Sequence, residues 1–251
     1  PSLIMQESDE IISKLIAGRE NQKQLVPFNV IYGDYSLADA YALQSKLADT
    51  LNHKLGKIVG YKMAFATESA MEKFNLNEPV YGPLFENQQI ENRSTVNLND
   101  FMQFHIENEI AFITSEITEK VNSQKNLKNY IKSIHLSYDM ADGRFDRSNG
   151  REGINDFVAS GGGAHRFILG EAVAGNDHEL ANQMMRIHQN SHLIYEGNTN
   201  EAMGNPWNAL LWIVNDLLGH GQTIHENMIF LTGKVDSPYT PDGIEAKGLY
   251  K

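Results

Sequence analysis

Glu107 and Glu109 stand two residues apart in FHIENEIAFI (104–113), a segment whose apolar residues alternate. Phe104, Ile106, Ile110 and Phe112 fall on one face of an extended chain, and His105, Glu107, Glu109 and Ala111 on the other. A period of two sets the two carboxylates side by side, their Cα atoms roughly 6.5–7 Å apart. That spacing suits convergence on one ion and is poor for two like charges with no cation between them. SIHLSYDMA (133–141) alternates in the same way, with Ile134, Leu136, Tyr138 and Met140 opposite His135, Ser137 and Asp139. Asp139 thus offers a third carboxylate from a second strand. Three carboxylates in a chain without cysteine make a hard, all-oxygen donor set, which suits Mg²⁺, Mn²⁺ or Ca²⁺ better than Zn²⁺. Magnesium would keep about three of its six positions for water or substrate. His105 shares the carboxylate face as a ligand, a partner behind the ligands or a general base. A solvated sheet face also carries alternating Glu and Asn, so Glu-x-Glu alone is a weak signal.

The elements that must hold these residues divide the chain in two. Residues 1–55 read as a helical segment. Ile4, Ile11, Ile12, Leu15 and Ile16 recur at near-helical spacing with Gly18 as a stop, and a second helix runs from Ser36, with Asp39 as its capping partner, to Gly56. Residues 56–251 read as a β-rich body. KIVGYKMAF (57–65) is rich in strand formers, a short helix follows at 67–74, and PVYGPLF (79–85) is extended or turn-rich. A helix at 123–132 joins the two acidic strands. MMRIHQ and HLIYEG form a hairpin about Asn190-Ser191. In NPWNALLWIVNDLLGHG (205–221) Asn205 caps a helix, Pro206 occupies its first turn and Gly219 ends it, with Trp207 and Trp212 as core. ENMIFLTG (226–233) is the last strand.

With 251 residues and 41% apolar content the chain carries a sizeable core. A formal charge of −11 disfavours nucleic acid and anionic membrane surfaces as partners and attracts divalent cations. No apolar run approaches the roughly 20 residues of a membrane span. The opening PSLIMQESDE is acidic and does not read as a signal peptide. A cytoplasmic location is the expectation.

IVGYKMAF, EPVYGPLF, FHIENEIAF, LSYDMADGRF, GNPWNALLWIVNDL and IFLTG occur in that order. This series resembles the 2-keto-4-pentenoate hydratase branch of the fumarylacetoacetate hydrolase superfamily, over roughly residues 37–233. The resemblance implies an α+β fold, a mixed β-roll or β-sandwich body with an N-terminal helical cap. It also implies a divalent metal, usually Mg²⁺, held by Glu107, Glu109 and Asp139, and a homo-oligomer. Lys62, in VGYKM, matches the family lysine and becomes an active-site cation or proton carrier, a role His105 shares as a candidate. The implied activity is that of a metal-dependent lyase acting on a small unsaturated 2-oxo acid through its enolate. Sister activities on the same scaffold are 2-oxo acid decarboxylation and C–C hydrolysis, and a catalytically silent binding relative is the remaining alternative.

The substrate cradle departs from the family pattern. Where hydratases usually carry Ala-Asp-Asn, this chain has ASGGGAHRF, with Ser160 and Gly161 at the Asp and Asn positions. The glycine run is an anion-binding turn or a permissive loop. Val80 replaces an Asp, Asn205 a His, and the third ligand is Asp139 where close relatives often have Glu. Arg144 either grips a substrate carboxylate or pairs with Asp142 or Asp146, the latter two read with Glu152 as solvated loop charges. Thr232, in LTG, closes the site in relatives or is simply a β-branched strand residue.

Overall fold

The computed structural model describes residues 2–173, 178–235 and 237–238. Among the described residues ten strands are formed: β1 (Ile58–Ala64), β2 (Val80–Phe85), β3 (Gln89–Ile90), β4 (Phe104–Thr114), β5 (Ile131–Asp142), β6 (Arg166–Val173), β7 (Met184–Gln189), β8 (His192–Asn198), β9 (Met228–Leu231) and β10 (Ser237–Pro238). The described residues of Pro1–Ala64, Val80–Ile106 and Asp139–Leu169 make one compact unit, and those of Phe65–Pro79, Glu107–Tyr138 and Gly170–Lys251 a second. Helices and a mixed sheet coexist, as the α+β reading expects.

In the first unit β1 and β2 pair antiparallel, with Lys62 directly opposite Gly82, while β3 runs parallel to β6. The helix Leu37–Leu55 begins where the Ser36 hydroxyl accepts from Asp39 N and ends at Gly56, whose φ of 80° a side chain would resist. It buries Ala40, Leu43, Leu47 and Leu51 on one side. Gln44, buried on the same side, donates through Nε2 to Tyr81 O and Val158 O, 2.9 Å each, tying the helix to β2 and to the helix Ile154–Ala159. The expected helix over 4–17 is two pieces, Leu3–Gln6 and Ser8–Glu20. Gly18 does not stop it. The glycine lies inside the last turn because a Cβ there would sit 3.0 Å from Lys23 O, where the chain folds back.

In the second unit β4 and β9 pair antiparallel from Ala111–Leu231 to Thr114–Met228. β7 and β8 form the expected hairpin, its Asn190 and Ser191 both at positive φ as a tight two-residue turn requires. The helix Pro206–Gly219 starts with Asn205 Oδ1 accepting from Trp207 N at 3.0 Å. Its buried Trp207 packs against Phe112 of β4, ring centroids 4.8 Å apart, and Leu210, Ile213, Val214 and Leu217 complete the apolar face. Each such side chain contributes roughly 1.5–3 kcal/mol on burial. That packing makes the Phe112 side of β4 core, so the glutamates leave from the other side. Among the described residues no helix is long and apolar enough to cross a membrane.

Candidate metal centre

β4 carries Glu107, half-buried, and Glu109, fully buried. Glu109 is fixed at both ends. Its backbone carbonyl accepts from Ser137 Oγ at 3.0 Å, and its Oε2 accepts from the backbone N–H of Gly233 at 3.1 Å. Thr232, beside that glycine, is fully buried and gives both its amide, 3.0 Å, and its hydroxyl, 2.9 Å, to Ile110 O.

Asp139, near the end of β5, is likewise fully buried. Lys62 Nζ lies 2.5 Å from its Oδ2, and the lysine side chain is 2% exposed. Lys62 is therefore no snorkelling surface residue. One carboxylate oxygen from each of Glu107, Glu109 and Asp139 lies within 4.8 Å of the other two. Oxygens in an octahedral shell around Mg²⁺ are roughly 2.9 Å apart when adjacent and 4.2 Å when opposite, given its metal–oxygen distances. The donor chemistry and the spacing both fit a hard dication.

His105 is exposed at the start of β4 and is not one of the three clustered groups. Arg144 is buried and takes the structural option. Its Nη1 donates to Asp142 Oδ2 and its Nη2 to Ala164 O, both 2.8 Å. Asp142 is accordingly not a solvated loop charge: it is 3% exposed, and its Oδ1 accepts from Gln103 N at 2.7 Å. Burial pulls the Arg144 guanidinium down to about 10 against the opposing pull of Asp142. Burial, aided by the positive charges of Arg144 and Arg166, pushes the His165 imidazole down to about 3.

Ser160 is the C-cap of the helix Ile154–Ala159, and its hydroxyl donates to Phe157 O at 3.0 Å. The amides of Ser160, Gly161 and Gly162 donate to Asp156 O, Val158 O and Phe157 O. Those three N–H groups are committed within the helix end and are not free to form an anion nest. The glycines of the run serve close approach instead: a Cβ on Gly82 would fall 2.2 Å from Gly161 O. Gly82 in turn faces Lys62 across the β1–β2 ladder, which brings the glycine turn to the lysine's side of the pair.

Two contributors escaped the sequence reading. The Gly233 amide is a backbone group and leaves no residue-type signature. Ser137 was visible, two residues before Asp139 on the same face, but nothing in its type pointed to the Glu109 carbonyl.

No family model matches the chain. Curated relatives do. The chain is 22% identical over 244 residues to a 2-keto-4-pentenoate hydratase of Paraburkholderia phymatum, covering 96% of this chain and 91% of the relative. It is 23% identical over 208 residues to a 4-oxalocrotonate decarboxylase of Pseudomonas putida, covering 81% and 77%. Among solved structures, 4-oxalocrotonate decarboxylase from Pseudomonas putida G7, complexed with magnesium and adipate, superimposes with a TM-score of 0.86 at 19% identity over 96% of this chain and 92% of that one. The same enzyme complexed with calcium and acetate gives 0.85. The chain has the fumarylacetoacetate hydrolase-like fold, and along nearly its whole length its sequence resembles the 2-keto-4-pentenoate hydratase branch of that superfamily.

Proposed function

We propose that the protein is a divalent-metal-dependent lyase of the 2-keto-4-pentenoate hydratase type, acting on a small unsaturated 2-oxo acid. The observation that carries this reading is the meeting of three carboxylate oxygens within 4.8 Å, two of them on fully buried side chains, with Lys62 ion-paired to one of the three residues. Glu107, Glu109 and Asp139 would hold the ion, Mg²⁺ by preference, with Mn²⁺ and Ca²⁺ suited to the same donors. When bound, the ion supplies a Lewis acid for negative charge developing on the 2-oxo oxygen.

The chain's own groups do the rest. Lys62 holds Asp139 in place by its ion pair and carries a proton at Nζ within the site. The burial of Glu109, Asp139 and Lys62 keeps bulk water from them and raises the strength of each charge interaction. Thr232, Ser160 and Gly161 are assigned to the substrate cradle on the resemblance. His105, exposed, is a candidate for proton exchange with solvent. Arg144 acts on substrate only through the backbone it braces. A homo-oligomer in the cytoplasm completes the reading.

Decarboxylation of a 2-oxo acid is the second reading, favoured by the fold match to 4-oxalocrotonate decarboxylase. The test is to assay the purified chain with 2-hydroxypenta-2,4-dienoate, 4-oxalocrotonate and an acylpyruvate, each with Mg²⁺ and with EDTA. Metal-dependent loss of the dienoate supports the hydratase reading, and CO₂ release from 4-oxalocrotonate the decarboxylase reading. Silence on all three with metal bound contradicts both.

A further inference from the structure

The register of β4 against the segment that follows β9 is broken at one residue. Residues paired across β4 and β9 run Thr114–Met228, Ile113–Ile229, Phe112–Phe230 and Ala111–Leu231. Continued, that register sets Ile110 opposite Thr232 and Asn108 opposite Lys234. The first step holds, since Thr232 N donates to Ile110 O at 3.0 Å. The second fails: Asn108 O accepts from Val235 N, 3.2 Å, one residue later than the ladder requires. Gly233 and Lys234 therefore both stand opposite Glu109, which is a β-bulge, and Gly233 has the positive φ, 103°, that such a bulge favours in glycine. In a regular ladder the Gly233 N–H would point away from β4. In the bulge it turns onto Glu109 Oε2.

We propose that Gly233 is a positioning residue for the metal: its re-aimed amide holds Glu109 Oε2, fixing the carboxylate so that Oε1 faces the ion. The inference rests on the metal reading above. A charge-assisted bond from a rigid backbone donor removes the rotation that a buried glutamate would otherwise have. Ser137 Oγ fixes the same residue's carbonyl, so backbone and head group are held independently.

Two measurements on the full-length chain test it. In the metal-free protein, Glu109→Met removes the acceptor and should speed hydrogen exchange at the Gly233 amide by about tenfold or more, while Glu107→Met leaves that amide unchanged. Deleting Lys234 takes out the extra residue and restores a regular ladder. The deletion variant should keep its far-ultraviolet circular dichroism yet bind Mn²⁺ about 10–100-fold more weakly by titration calorimetry. A Gly233 amide indifferent to Glu109→Met overturns the proposal, as does a folded deletion variant with undiminished Mn²⁺ affinity. Should the deletion variant fail to fold, the exchange measurement decides. Should Glu107→Gln and Asp139→Asn leave Mn²⁺ binding intact, the metal reading fails, and the metal-free exchange measurement still judges the bulge separately.

Discussion

Lys62 Nζ sits 2.5 Å from Asp139 Oδ2, with the two side chains 2% and 0% exposed. A carboxylate this deep is costly unless a cation stands beside it. Asp139, the one of the three clustered carboxylates farthest along the chain, forms this ion pair with the lysine from β1.

Replacing Lys62 with Met strips Asp139 of that cation. The metal-free variant should lose about 3–5 kcal/mol of stability, the usual cost of breaking a buried pair from one side. Urea unfolding with and without Mg²⁺ checks this, and saturating metal should return part of the loss by restoring positive charge at Asp139. Turnover should fall by about 10²–10⁴ if Lys62 carries the proton.

Glu107 separates metal affinity from stability. It is half-buried, so Glu107→Gln should change metal-free stability by less than about 1 kcal/mol. In the parent protein, Mg²⁺ at a hundred times its dissociation constant should add about 2.7 kcal/mol. The variant should lose most of that gain. Thermal unfolding across an Mg²⁺ series, with EDTA as the zero point, reads both effects.

Gly82 faces Lys62 and touches the turn at Gly161. A methyl group at 82 would need the Gly161 carbonyl to move, since 2.2 Å is far inside contact distance. Gly82→Ala should destabilise by about 1–3 kcal/mol, as overpacking does, and should lower kcat/KM more than Mg²⁺ affinity. Equal losses in the two would contradict a role confined to the turn.

His165 gives the protein an acid-side slope. Its folded value, about 3, lies below the ordinary 6.5, so the native state binds fewer protons than the unfolded chain between those two values. The stability it contributes is complete above about pH 6.5 and drains away as pH falls toward 3. Asp156 works in the opposite sense, because burial raises its carboxyl and its native form holds a proton longer. His165→Gln should flatten the dependence of unfolding free energy on pH below neutrality. An unchanged slope would contradict the assignment.

The strands bearing Glu107, Glu109 and Asp139 were legible because a period of two runs through FHIENEIAFI and SIHLSYDMA; Phe112 on Trp207 matches the core side read for the first, whereas Leu136 on the side read as core in the second is exposed. The capped helices were legible for local reasons: Ser36 and Asn205 cap through their own side chains within three residues. What stayed hidden depends on how the backbone folds back on itself, which residue type does not record. Gly18 reads as a helix stop until Leu25 and Lys23 O are seen against it. Asp142 reads as a loop charge or a partner of Arg144, and only the fold shows it buried with the Gln103 amide against it. The glycine run at 161–163 reads as an open turn until the amides of Gly161 and Gly162 are found donating into the helix before it.

The most direct test is a crystal of the full chain soaked with Mn²⁺ and oxalate, a mimic of the pyruvate enolate, and measured for anomalous scattering. The expected result is one strong manganese peak in contact with oxygens of Glu107, Glu109 and Asp139, with oxalate on its open side. Density for the three carboxylates with no peak among them, or a peak held by other residues, would contradict the assignment.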